Sequence, residues 1–137
     1  MKTNIPNELI EAYRNTRFIV FSPAITITIG ETSKVLEELL LKEGVTEWAF
    51  ITSVNPYSKQ LTDKENDKLF DDLKEDVKNY PNFMGEGVGA DSRWKPEISL
   101  LVLGISRTEA ERIGRKYGQN AIVLGSEGNE AELLLLQ

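Results

Sequence analysis

The segment Glu47–Val54, EWAFITSV, constrains the chain most. Trp48, Phe50 and Val54 fall on one alternating face, and alanine and isoleucine fill the other. A strand apolar on both faces is buried on both sides, so this segment belongs at the centre of a sheet. It stops abruptly at Asn55-Pro56. A polar loop with Tyr57, Ser58, Lys59 and Gln60 follows, and then a helix with a strong start signal. Thr62 and Glu65 have capping-box spacing, and Asp63 puts negative charge where the helix dipole favours it. Polar groups exposed at the end of a buried strand suit a binding site, although they name no reaction.

The remaining elements are spaced around this centre. A helix is expected from Pro6 to about Asn15, with Leu9, Ile10 and Tyr13 on roughly one side. Arg17–Phe21 and Ile25–Ile29 read as strands joined through Ser22–Ala24, where Pro23 marks a hairpin turn, a bulge or a bend. Thr32 or Ser33 caps a helix carrying Val35, Leu36, Leu39 and Leu40, and Gly44 ends it. The helix after Thr62 has an apolar stripe of Leu69, Leu73 and Val77, its many charges form a solvent face, and Tyr80-Pro81 closes it. Phe83–Trp94 is glycine-rich and reads as a twisted strand running into a loop. Its evenly spaced Gly85, Gly87 and Gly89 lack the Lys-Ser/Thr end of a phosphate loop. They serve either close packing or close approach of a ligand.

Ser99–Leu103 is a further buried strand. Ser106 and Glu109 repeat the capping-box spacing ahead of a helix that packs through Ala110, Ile113 and Tyr117, with Gly118 at its end. Asn120–Leu124 and Ala131–Leu136 complete the pattern as two strands that can pair. Residues 1–137 are read as a single compact domain of the α+β class, a two-layer mixed sheet with helices packed mainly on one face. A small three-layer α/β domain is the rival arrangement.

Composition limits the chemistry. Cysteine and histidine are both absent, which removes disulfide scaffolds, thiolate and imidazole metal ligands, cysteine nucleophiles and the Ser-His-Asp triad. Only an oxygen-ligated metal would remain, and two carboxylates such as Asp91 and Glu97 are too few to suggest one; no metal and no cofactor are expected. The formal charge of -6, from 16 basic and 22 acidic residues, disfavours general nucleic-acid binding. The N-terminus lacks a signal-peptide core and no apolar run is long enough to span a bilayer, so a cytoplasmic protein without membrane attachment is expected.

Three groups of residues have the chemistry of a site. Asn55, Ser58 and Asn66 offer amide and hydroxyl groups that recognise a carboxamide, a base edge or a phosphate, or else cap the local backbone. Gln119-Asn120 stands at a helix-to-strand junction, where Gln119 either faces a ligand or satisfies the helix terminus. Asn120 begins its strand while Asn55 ends its own, so the two share one edge only if those strands are antiparallel. Arg93, Trp94 and Glu97 supply an anion contact, a flat apolar wall and a carboxylate base around the stiff Pro96, or simply a loop anchored by tryptophan.

The runs FITSVNPYS at Phe50–Ser58, LTDKEN at the next helix, WKPEISLLVLGIS at Trp94–Ser106 and GRKYGQNAIV at Gly114–Val123 together resemble the bacterial domain-of-unknown-function family numbered 3293. The likeness extends from about Tyr13 to Leu124. Members of that family often carry an alanine-tryptophan pair where this chain has Ser53-Val54, and a second glutamate where it has Ile98. The resemblance implies a common small domain and supplies no activity, substrate or cofactor.

The leading expectation is a small regulatory domain binding a polar metabolite or a protein partner through Asn55, Ser58, Arg93, Trp94, Glu97 and Gln119. The alternative is a small hydrolase or transferase acting on a nucleotide-like or amide-containing substrate. There Glu97 would be the general base, Asp91 the second choice, Asn55 and Gln119 would position the substrate, and Arg93 would stabilise negative charge. A third reading is an interaction adaptor whose cue is an exposed apolar patch on Leu133–Leu136, where an unpaired edge can drive homodimerisation.

Overall fold

The computed structural model describes residues 3–91 and 95–137. Among these residues four α-helices and seven strands follow one another in the order α1 (Asn7–Arg14), β1 (Arg17–Val20), β2 (Ile25–Ile27), α2 (Lys34–Glu43), β3 (Glu47–Ile51), α3 (Asp63–Asp76), β4 (Asn82–Val88), β5 (Glu97–Leu103), α4 (Arg107–Lys116), β6 (Ala121–Ser126) and β7 (Glu132–Leu135), with a short 3-10 turn at Pro56–Ser58. The strands form one sheet in the order β2-β1-β4-β5-β3-β6-β7. Every pairing in it is antiparallel, so the sheet is not mixed as expected. The difference has a simple cause: helices interleaved with strands suggest parallel crossovers, and α3 and α4 do join strands that point the same way, but a strand of opposite direction lies between each pair, β5 between β3 and β4 and β3 between β5 and β6.

Local signals set the element ends. Ser33 accepts the Leu36 N–H and starts α2, and Gly44 in the left-handed region ends it. Thr62 accepts from Glu65 while the Glu65 carboxylate accepts from the Thr62 N–H, closing the capping box of α3. At α4 only half of that device forms: Ser106 accepts the Glu109 N–H, but the Glu109 carboxylate is taken by Arg112. Gly85 explains part of the glycine-rich strand. A Cβ there would lie 2.1 Å from the Ile19 carbonyl oxygen on β1, so only glycine lets the two strands approach.

Apolar residues cover both faces of the sheet. Trp48, Phe50, Leu101 and Leu103 pack with Leu36, Leu39 and Leu40 of α2, together with Phe18, Val20, Ile25 and Ile27. The alternate residues Ala49, Ile51, Leu100 and Val102 pack with Phe70 and Leu73 of α3 and Ala110 and Ile113 of α4. Strand side chains alternate between faces, so α2 lies on one side and α3 and α4 on the other. The fold is therefore α+β, with an antiparallel sheet carrying helices on both faces. The leucines of β7 divide the same way: Leu133 meets the first cluster and Leu134 and Leu136 the second. Leu136 is buried and its three predecessors are half-buried, so this segment presents no exposed apolar patch. The exposed large apolar side chains among the described residues are Phe21, Val35, Leu41, Tyr57 and Met84. Among the described residues no helix is long and apolar enough to cross a membrane.

Candidate functional site

The chain leaves β3 through a bent loop at one end of the sheet. Asn55, Tyr57 and Ser58 all have positive φ, at 49°, 57° and 61°. Asparagine tolerates that region; tyrosine and serine adopt it only when their surroundings enforce it. Two restraints do so. The Tyr57 N–H donates to the Gly118 carbonyl at 2.7 Å. Gly118, itself at φ 63°, leaves room for the loop: a Cβ there would lie 2.9 Å from the Tyr57 ring and 3.1 Å from Pro56.

Asn55 is the hub. Its backbone N–H donates to Asn66 Oδ1 at 3.0 Å, and Asn66 Nδ2 donates back to Asn55 Oδ1 at 2.9 Å. The Leu61 N–H donates to the same Asn55 oxygen at 3.0 Å. Asn55 Nδ2 then donates to Glu97 Oε2 at 2.8 Å. One side chain thus joins the end of β3, the first turns of α3 and the start of β5.

Glu97 is half-buried, and burial raises its carboxyl above the usual range despite the opposing hydrogen bond from Asn55. Tyr13 of α1 faces the same space. Burial raises its phenol, the Glu97 charge adds to that, and neighbouring Asn120 and Ser58 oppose it. Asn120 Nδ2 donates to Ser58 Oγ at 2.9 Å. Pairing of β3 with β6 is antiparallel, which brings the end of one strand to the start of the other and so places Asn120 beside the loop.

Asn55, Ser58, Asn66, Glu97 and Asn120 therefore lie in one connected cluster. Gln119 adjoins it but turns inward: its Nε2 donates to the carbonyls of Val54 at 3.1 Å and Tyr117 at 3.2 Å, holding α4's end against the loop's start. Arg93 and Trp94 lie outside the described residues. Asp91 is half-buried in the β4–β5 connection. Tyr13 is the member that the sequence reading assigned only to helix packing. Its signal was slight, since a tyrosine in an amphipathic helix is ordinary. Among the described residues no three acidic side chains gather as a metal site would require.

The cluster offers a half-buried carboxyl, two hydroxyls and oriented amides, a set suited to polar recognition or to proton transfer at Glu97. No curated protein and no solved structure matches the chain. Residues 51–122, just over half of the chain and spanning the loop, α3, Glu97 and Asn120, match the family model described as Protein of unknown function (DUF3293). The chain belongs to the DUF3293 family.

Proposed function

We propose that this protein binds a small polar metabolite at the cluster formed by Tyr13, Asn55, Ser58, Glu97 and Asn120, and that binding serves a regulatory role. The observation that carries the reading is the Asn55 loop. Three non-glycine residues in the left-handed region, fixed by Gly118 and by the Asn55–Asn66 pair, hold Ser58 and the Asn55 amide in defined positions. Backbone strain of this kind costs roughly 1–3 kcal/mol per residue and concentrates at ligand clamps and active sites. Gln119 contributes by bracing the wall of the site through Val54. A metabolite library screened by thermal shift tests the reading: hits should protect the wild type and lose their effect in Ser58→Ala and Glu97→Gln. Hits that protect both variants equally would place binding elsewhere.

The raised carboxyl of Glu97 favours one second reading, proton abstraction in a hydrolase or transferase reaction. Asn55 would then be a positioning residue for the base. Full turnover of an identified substrate by Glu97→Gln would exclude it.

A further inference from the structure

We infer that the ligand of this site presents a cationic amino group to the Glu97 carboxylate. The inference rests on the binding reading above and adds the chemical class.

The first support is what surrounds the carboxylate. Two other half-buried carboxylates have cationic partners, Asp76 with Lys116 and Glu109 with Arg112, as does the exposed Glu132 with Arg107. Among the described residues, no lysine or arginine forms an ion pair with the half-buried Glu97; its neighbours are the neutral Asn55 and Tyr13. Removing a carboxylate from water with no cationic partner among the described residues is unfavourable, and a ligand cation would relieve that cost.

The second support is the balance of donors and acceptors. One N–H of each asparagine amide in the site is engaged, Asn55 with Glu97, Asn66 with Asn55 and Asn120 with Ser58, and the Gln119 nitrogen donates to two carbonyls. The remaining carboxylate oxygen only accepts, and the hydroxyls of Ser58 and Tyr13 accept as well as donate. An ammonium group carries three donors and no acceptor, which matches that set, whereas an anion would meet a like charge.

The third support is space. Gly87 stands directly opposite Glu97 in the β4–β5 pairing, on the same face of the sheet. The strand beside the carboxyl therefore carries no side chain. A Cβ at Gly87 would make only ordinary contacts, 3.7 Å to the Phe18 ring and 3.8 Å to Thr16, so alanine fits there.

The test uses three probes of one size and different charge: benzylammonium, benzamide and benzoate, titrated into the full chain at neutral pH. Chemical shifts of the Asn55 and Asn120 side-chain amides and the Ser58 backbone amide report binding at the site. Benzylammonium is expected to bind about tenfold more tightly than benzamide, as a charge-assisted hydrogen bond implies. Benzoate is expected to leave these signals unmoved. Glu97→Gln should abolish the preference for the cation, and Gly87→Ala, which retains the charge and the packing, should weaken benzylammonium binding several-fold. Equal or tighter binding of benzamide or benzoate at these signals would overturn the cationic class while leaving the site intact as a binding site. Failure of all three probes to move them would overturn both readings.

Discussion

The reciprocal hydrogen bonds between Asn55 and Asn66 fasten the end of the central strand to the first turns of α3. The Asn55 N–H depends on the Asn66 side chain alone, while Oδ1 also accepts from the Leu61 N–H. Replacing Asn66 by alanine leaves that N–H unpaired in a partly buried position, a loss of about 1–3 kcal/mol. Urea denaturation of Asn66→Ala should show a lower midpoint at unchanged slope. The variant should also loosen the Asn55–Glu97 contact, visible as a shifted Asn55 side-chain amide. An unchanged midpoint would mean that water replaces Asn66 without cost.

Gly118 tests the loop from its other side. Its positive φ disfavours a side chain, and the space a Cβ would need is filled by Tyr57 and Pro56. Gly118→Ala should therefore destabilise the fold by about 1–3 kcal/mol and displace Tyr57. By contrast, Gly128 also has positive φ but meets nothing within 4 Å. Gly128→Ala should carry the backbone penalty alone and leave the Ser58 and Asn120 signals in place. Thermal melts of the two variants compare strain with strain plus collision; equal losses would argue against a tightly packed loop.

The two capping-box spacings show how far the sequence could be read. Both Thr62 with Glu65 and Ser106 with Glu109 announced helix starts, and both helices start there. Only the first box closes, because Arg112 one turn along α4 takes the Glu109 carboxylate. Thr62→Ala should cost about 1 kcal/mol as a lost cap. Glu65→Ala should lower the melting temperature more than Glu109→Ala, because Glu65 alone returns a hydrogen bond to its cap backbone. Equal effects of the two glutamate variants would mean that the reciprocal bond adds nothing.

Element identities were legible for the same reason as these caps: alternation, helical stripes and turn residues are local. Ser22–Ala24 connects an antiparallel pair, Gly44 ends α2, and the Ala131–Leu136 segment supplies a strand beside β6. Strand direction was less legible, since it depends on which strand comes to lie between the two that each helix joins. That Asn55 and Glu97 meet across the sheet end follows from the pairing of β5 with β3, which neither segment encodes by itself. Tyr13 went unnoticed as a site residue because α1 looks like a packing helix, yet none of its residues is fully buried.

The pH dependence of stability separates Glu97 from Asp76. Burial raises the Glu97 carboxyl, so the folded state holds this proton more tightly than the unfolded state. Its contribution is fully present below the unfolded-state pKa and is lost as pH rises through the raised folded-state value. Glu97→Gln keeps an acceptor for Asn55 but cannot ionise. Its stability relative to wild type should therefore increase from acid toward neutral pH. Asp76 runs the other way. Burial tends to raise its carboxyl, but hydrogen bonds from Lys116 and Tyr117 and the charges of Lys116 and Arg112 together hold it below the usual range. Its contribution is present above the unfolded-state pKa and lost as pH falls through the depressed folded-state value, so Asp76→Asn should lose its disadvantage in acid. Denaturant midpoints of the three proteins across pH 3–8 check both signs. If the Glu97→Gln advantage were flat across that range, Glu97 would titrate as an ordinary exposed carboxylate, and the electrostatic case for a ligand cation beside it would fall with it.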